Sequence, residues 1–287
     1  MSVAVVILTF NEEANLPQAL RSVRGWAQEV FVFDSFSADR TVEVAREHGA
    51  VVMQHRFENY ARQRNAALQR LPLTCEWILF LDADEWVPEA LKREIDAVMA
   101  LGTPHDAFQL SWRFIWMGRW IRRGYYPTWI LRLFRRGKAR CEERAVNEHL
   151  VVEGTTGRLK NDFVHEDLRG VGDWIDKHNR YATLEARELF RRRSEQTGEI
   201  DAHFFGTQAQ RKRWLRLKVF NRMPPLIRPF FYWVYRYVLC GGFLDGREAF
   251  VYHFLHALWF PLLIDVKYLE MKWQRERDAR RPGDSGT

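Results

Sequence analysis

Cysteine is scarce in this chain of 287 residues: there are three, Cys75, Cys141 and Cys240. An odd number at wide spacing excludes a disulfide framework and a paired Cys-x-x-Cys metal site, and suits a reducing cytosol. Glycine-rich phosphate loops are missing as well. No G-x-G-x-x-G follows the first apolar run, which excludes a dinucleotide fingerprint, and no G-x-x-x-x-G-K-[S/T] occurs, which excludes a P-loop. No secretory leader is expected. Met1–Leu8 is apolar but short, has no basic stretch, and is followed at once by Glu12-Glu13. The apolar run Ala249–Ile264 covers 16 residues, fewer than the ~20 that span a bilayer, and Pro261 interrupts it. No internal repeat or low-complexity tract appears. What the chain does have is 12 Trp, 20 Phe and a formal net charge of +7. A basic protein meets nucleic acid, an anionic membrane face or an acidic substrate.

The first hundred residues alternate strand and helix. Val3–Leu8, Val30–Phe33, Val51–Met53 and Trp77–Leu81 are short β-branched or aromatic runs of the kind buried in parallel sheets. Between and after them, Leu16–Val23, Arg40–His48, Asn59–Leu71 and Pro88–Leu101 carry helix signals and stop at Gly49, Pro72 or Gly102. Such alternation predicts an α/β fold, a mainly parallel sheet flanked by helices. Residues 105–165 lose the beat and hold short strand-like runs, Ala107–Trp112, Ile130–Phe134 and His149–Val152, around a loop rich in Trp and Arg. A charged helix is expected over Asp173–Arg193, then an aromatic and basic helical appendage. The expected division is 1–170, with a nucleotide-binding half at 1–104 and an acceptor-binding half at 105–170, and 171–287.

Ligands of an open parallel sheet collect beyond the carboxyl ends of its strands. Three polar clusters fall there: Thr9-Phe10-Asn11-Glu12, Asp34 through Asp39-Arg40-Thr41, and Asp82-Ala83-Asp84-Glu85. Three acidic residues within four positions at the mouth of a core strand need a cation between them. Hard oxygen donors suit Mg²⁺ or Mn²⁺, ions that usually keep waters and bind a substrate's phosphates. Asn11, Asp34 and Asp39 also suit turns and caps, and Asp39 could cap the helix at Arg40.

With these clusters, and with Arg64-Asn65 on the third helix, the N-terminal hundred residues resemble family 2 glycosyltransferases of the GT-A fold type. More closely, Lys177-His178-Asn179-Arg180-Tyr181 and Gly241-Gly242-Phe243-Leu244-Asp245-Gly246 resemble segments of bacterial lipopolysaccharide-core β-glucosyltransferases. The resemblance implies an inverting transfer of a sugar, glucose in that subgroup, from a UDP-sugar to a saccharide or anionic glycolipid acceptor. It implies a nucleotide-sugar pocket of Thr9, Asn11, Glu12, Asp34, Asp39, Arg64, Asp82 and Ala83, with Asp34 accepting from uracil and Arg64 near the phosphates. Asp82 would face the donor sugar, while Asp84 would hold the metal. Where relatives carry Val-His-Glu, this chain has Val146-Asn147-Glu148, so Glu148 is the expected base; Glu142 and Glu143 compete for the role. A late His or Asp often completes the metal site in this fold, which points to His165, a residue equally suited to a structural hydrogen bond.

Trp112, Trp116, Trp120 and Trp129 lie among seven arginines between 113 and 136. Aromatic faces suit sugar rings and guanidinium forks suit phosphate. Trp112, Trp116, Trp120 and Arg132 are therefore the expected acceptor contacts, with ordinary packing as the competing account. The basic and aromatic C-terminal stretch fits the cytoplasmic face of an inner membrane, or else self-association into a homo-oligomer. A nucleotidyltransferase would want a basic phosphate loop after the first strand, which is acidic here. A nucleic-acid partner is not expected, because clustered carboxylates repel phosphate.

Overall fold

A computed structural model describes residues 2–142, 150–195 and 223–280, of which 192–195 and 279–280 are described by their backbone alone. The chain forms two compact units, Met1–Gly170 and Val171–Thr287.

The first unit begins with the expected alternation: β1 (Val3–Thr9), α1 (Leu16–Val23), β2 (Glu29–Asp34), α2 (Thr41–Glu47), β3 (Val51–Gln54), α3 (Tyr60–Arg70), β4 (Trp77–Asp82), β5 (Glu85–Trp86) and α4 (Glu89–Ala100). β6 (Ala107–Leu110), β7 (Trp112–Trp116), β8 (Arg119–Trp120), β9 (Ile130–Arg135), β10 (Ala139–Cys141), β11 (Leu150–Val152), β12 (Thr156–Arg158) and β13 (Phe163–His165) follow. Seven strands make the main sheet in the order β12-β6-β9-β4-β1-β2-β3. β1 to β4 are mutually parallel where they pair, while β9 runs antiparallel to both β4 and β6. The fold is α/β, a mainly parallel sheet with helices on its faces, as expected.

The apolar runs of β1 and β4 are continuous because both faces of the sheet are covered there, whereas the edge strand β3, expected to be buried, leaves Val51 exposed. Val3, Val5 and Ile7 of β1 point into a core shared with Leu16, Leu20 and Val23 of α1 and Leu91 and Ile95 of α4. Ala4 and Val6 point the other way, with Phe31, Phe33, Ile78 and Phe80, against Ala67 of α3 and against Leu71. Strand period and helix period therefore agree on which residues are interior.

One boundary differs from the sequence reading. Ala107–Trp112, read as one strand, breaks at Ser111, and its halves enter different sheets. The buried Ser111 is held on both sides: its carbonyl accepts from Phe163 N at 3.1 Å and its hydroxyl from Thr128 N at 3.2 Å. The second sheet, β5-β13-β7-β8, is small and mixed. His149 of the expected strand lies outside the described residues.

The second unit holds α5 (Val171–Glu195), α6 (Arg228–Trp233), α7 (Arg247–His253) and α8 (Phe260–Arg280). π-helical turns at Val234–Leu239 and Phe254–Trp259 extend α6 and join α7 to α8, and a 3₁₀ turn covers Gly242–Asp245. Arg247–Asp278 is one helical run of 32 residues, long and apolar enough by length and composition to cross a membrane. Pro261 does not interrupt it, contrary to expectation. A π turn, Phe254–Trp259, precedes the proline, which stands as the second residue of α8.

Candidate active site

The chain lays β2 and β3 on one side of β1 and then crosses to place β4 on the other. The loops after β1 and β4 therefore diverge, which opens a crevice at the carboxyl edge. Parallel register aligns the residues that line it: Thr9 faces Asp34, Leu8 faces Asp82, and Asp34 faces Gln54.

Asp34 is fully buried, and its carboxylate organises the loops after β1 and β2. It accepts from Thr9 Oγ1 at 2.9 Å, Ser37 N at 2.9 Å, Ser37 Oγ at 2.5 Å and Gln54 Nε2 at 3.0 Å. Four donors fill the usual capacity of a carboxylate. Asn11 crosses the same gap: its amide N donates to Ser37 Oγ (2.9 Å), and its Oδ1 accepts from Ala38 N (2.8 Å). Asp39 is not a simple helix cap. One oxygen accepts from Thr41 N (3.0 Å) and the other from Glu13 N (3.1 Å), so it ties the two loops together. Burial pushes the Asp39 carboxyl up, but the hydrogen bonds from Thr41 and Glu13 outweigh it and hold the group low.

Glu12 is drawn into another network. Its backbone N donates to Thr41 Oγ1 at 2.8 Å, its side chain accepts from Asn15 Nδ2 at 2.8 Å, and Arg169 Nη1 donates to it at 3.0 Å. Arg169 also pairs with Asp167 at 2.6 Å. Sequence reasoning missed two neighbours, Phe10 and Phe36, each 57% exposed. Asn11 and Phe36 both take the left-handed backbone conformation, with φ of 54° and 59°. A bulky residue there is uncommon and strained, and such residues cluster at ligand sites. An aromatic set immediately before or after an Asn or Ser at a strand end was the available sequence signal.

The acidic turn after β4 is compensated in an unexpected way. Arg132, expected on the acceptor surface, is 6% exposed and lies beneath this turn. β9 runs antiparallel beside β4, with Leu133 opposite Leu79, so position 132 falls near the carboxyl end of β4. Arg132 Nη2 donates to Asp82 Oδ2 at 2.5 Å and to Glu85 Oε1 at 2.7 Å. Glu85 also accepts from Asp82 N at 2.9 Å, and Arg64 Nη2 approaches Asp82 Oδ1 at 3.3 Å. Much of the cation demanded by three clustered carboxylates is thus guanidinium. Burial pushes the Asp82 carboxyl up, but the charges of Arg132 and Arg64 prevail and hold it well below the usual range. Glu85 goes the other way: burial, with the charges of Asp82 and Asp84, outweighs Arg132 and pushes it up to about 7. A lone arginine inside the apolar run Ile130–Phe134 was the sequence clue to this role.

Asp84 and His165, eighty-one positions apart in sequence, meet. β13 pairs antiparallel with β5, which puts His165 opposite Glu85, and Glu166 N donates to the Asp84 carbonyl at 2.9 Å. His165 Nε2 lies 3.4 Å from Asp84 Oδ2. The edges of Trp112 and Phe114 hold the imidazole, with ring centroids 5.6 and 5.4 Å away. Among the described residues no three His, Cys, Asp or Glu side chains converge as a metal cage. The pair nevertheless fits a hard divalent ion. Two ligands at right angles and about 2.1 Å from one Mg²⁺ lie roughly 3 Å apart, and such ions leave their remaining positions to water and phosphate. Ala83, between Asp82 and Asp84 in the chain, is buried.

The other expected acceptor contacts divide. Trp116 is 6% exposed and stacks on Phe114, so it packs. Trp112 abuts His165. Trp120 is half-buried, with the guanidiniums of Arg122 and Arg113 at 4.4 and 5.1 Å from its ring. Glu148 and Glu143 lie outside the described residues. The strand leading to them is fixed: Asn65 on α3 donates to the Cys141 carbonyl at 2.9 Å and accepts from Cys141 N at 2.7 Å.

Residues 4–149, half of the chain, match the family described as glycosyl transferase family 2. The chain belongs to that family. It is 26% identical over 199 residues to an uncharacterized glycosyltransferase of Rickettsia typhi, covering 65% of this chain and 68% of that protein. It is 37% identical over 100 residues to another from Rickettsia bellii, covering 34% of this chain and 33% of that one. Among solved structures it is similar to S. aureus TarS residues 1–349, with TM-score 0.46, 14% identity and coverage of 96% and 92%. A second is glucosyl-3-phosphoglycerate synthase of Mycobacterium tuberculosis, in complex with Mn²⁺, UDP and its product, with TM-score 0.34 and 22% identity. That likeness covers 39% of this family 2 chain and 44% of the synthase.

Proposed function

We propose that this enzyme transfers a hexose, glucose by preference, from a UDP-sugar to an anionic saccharide acceptor with inversion. The observation that carries the reading is the meeting of Asp84 and His165 just beyond the end of β4, where Asp82 stands beside β1 at the crevice. In this reading the uracil stacks on Phe10 or Phe36, and the loops ordered by Asn11, Asp34 and Asp39 shape the nucleoside pocket, with Thr9 and Glu12 at its edge. Arg64, which already reaches the crevice to pair with Asp82, meets the diphosphate. Asp82 faces the donor sugar.

Asp84 and His165 would hold Mg²⁺ or Mn²⁺, which supplies neutralisation of the charge on the departing diphosphate. An acceptor hydroxyl then attacks the anomeric carbon while the bond to UDP breaks, and a carboxylate takes the hydroxyl proton. We assign that proton to Glu148, seven residues beyond Cys141 in the sequence. The acceptor is taken to be a glycolipid, of the lipopolysaccharide-core kind, on the cytoplasmic face of the inner membrane. The net charge of +7 supports an anionic acceptor.

Asp84→Asn and Glu148→Gln separate the two roles. Asp84→Asn should weaken UDP binding in Mn²⁺ at least tenfold and remove its dependence on metal. Glu148→Gln should abolish transfer and leave UDP affinity in place. Near-normal turnover in Glu148→Gln, or UDP affinity indifferent to metal in the parent enzyme, would refute the corresponding assignment.

A further inference from the structure

The helical hairpin of the second unit is built with its polar groups inside and its apolar groups outside. Arg228 and Asp265, 3% and 0% exposed in their side chains, form a buried ion pair, and Asp265 also accepts from Leu226 N at 2.9 Å. Asp245 and His253 are buried as well. Between residues 226 and 254, twelve residues are exposed. Eleven of them are large and apolar or aromatic, and the twelfth is Arg247. They fall as a helical stripe on each arm, Ile227, Phe230, Phe231, Tyr235, Val238 and Leu239 on the first and Phe250 and Phe254 on the second. Phe243 and Leu244 stand together on the connecting turn, 50% and 57% exposed, beyond Leu239 at 74%.

We propose that this hairpin docks into one leaflet of an anionic bilayer, with the tip Leu239–Leu244 buried at the boundary between headgroups and acyl chains. This deepens the membrane placement proposed above and is independent of the sugar transferred. Three observations select lipid as the occupant. A surface made for another copy of the chain carries a polar rim that supplies hydrogen bonds; this one offers a single phenol and a single guanidinium. No carboxylate is exposed across it, and the twelve residues 211–222 that lead towards it in sequence hold six Lys or Arg and no Asp or Glu, a composition drawn to anionic headgroups. The backbone of both arms is helical, so its donors and acceptors enter an apolar medium already paired.

The long helix Arg247–Asp278 does not itself span the bilayer. Its second half lies along α5, where Lys267 Nζ donates to Asn179 Oδ1 and Thr183 Oγ1, both at 2.6 Å. α5 carries exposed Asp173, Asp176, Arg180, Arg187 and Arg191, and a charged helix of that kind does not enter hydrocarbon.

The test is flotation of the full chain with vesicles of phosphatidylcholine alone or mixed with phosphatidylglycerol. The parent should float with the anionic vesicles, and Leu239→Ser/Phe243→Ser/Leu244→Ser should lose at least tenfold in bound fraction. These side chains are exposed, so the variant should keep its thermal midpoint and its UDP affinity. An environment-sensitive fluorophore on Phe243→Cys, in a Cys240→Ser background, should shift to the blue only with anionic vesicles. Equal flotation of the triple variant, or an unshifted fluorophore, overturns the proposal. So does a dimer that the triple substitution converts to monomer with flotation unchanged, which would make a second copy the occupant. Retention in the membrane after alkaline carbonate would mean spanning and also overturns it. Flotation of a chain that binds no UDP would leave the docking standing and refute the transferase reading.

Discussion

Removing the Arg132 side chain would strand two carboxylates at the floor of the crevice. Glu85 is 1% exposed and has no water to turn to. Breaking one side of a buried ionic cluster typically costs about 3–5 kcal/mol, so Arg132→Ala should lose stability on that scale in urea unfolding. Arg132→Ala/Glu85→Gln should regain part of it. A loss below 1 kcal/mol would mean that the guanidinium is not what compensates the turn. Asp167 allows a prediction about acid. Burial raises its carboxyl, but the hydrogen bonds and charge of Arg169 and the amide of Asn15 overcome this and hold it well below the usual range. A depressed carboxylate contributes stability that is complete above its unfolded value, near 3.9, and is lost as pH falls through the folded one. Asp167→Asn should therefore flatten the fall in stability below about pH 4, as read from unfolding midpoints in acid.

Elements decide where such residues end up, and α3 does so twice. Its N-terminus is capped by Asn59, whose Oδ1 accepts from Arg62 N at 2.8 Å. One turn on, Arg64 faces Asp82 while Asn65 clamps Cys141. Asn59→Ala should cost about 1 kcal/mol, the usual value of a lost N-cap. Asn65→Ala should lower turnover roughly tenfold and spare UDP affinity, because it frees the end of β10 from α3 and small misplacements near a reacting centre are costly. A fall in UDP affinity with unchanged turnover would place Asn65 in the donor pocket instead. The four longer strands and four helices up to residue 101 were legible in the sequence, since the runs of β1 and β4 are covered on both faces and glycine or proline lies close behind the helix ends; the two-residue β5 was not, nor was the exposure of Val51 on β3. Thr9, Asn11, Asp34 and Asp39 were legible as strand-end residues for the same reason. Arg132 was not. Its burial depends on β9 lying antiparallel beside β4, a pairing between positions some fifty residues apart that no local periodicity records. Ser111 was missed for a related cause: the break there follows from two sheets claiming its flanks.

At the scale of the whole molecule, ligand binding and stability are linked. If UDP and metal bind the folded chain alone, saturation near a hundred times Kd adds about 2.7 kcal/mol. That should raise the midpoint of the transition it stabilises by several degrees in Mn²⁺, and by much less after chelation with EDTA. An equal shift in both conditions would remove the cation from the donor site. Composition gave the sign of the molecule's charge and the aromatic excess of its last ninety residues. It could not give the inversion of inside and outside in the hairpin, because Arg228 and Asp265 look like surface residues until their pairing is known.

The ladder between β5 and β13 has a consequence for synthesis. His165 leaves the ribosome eighty-one residues after Asp84, and it lies beyond the stretch 4–149 that matches the family. On the metal assignment proposed above, a nascent chain, or a fragment trimmed to the matched stretch, would own one ligand and lack its mate. That pair would be complete only when translation has passed the end of β13.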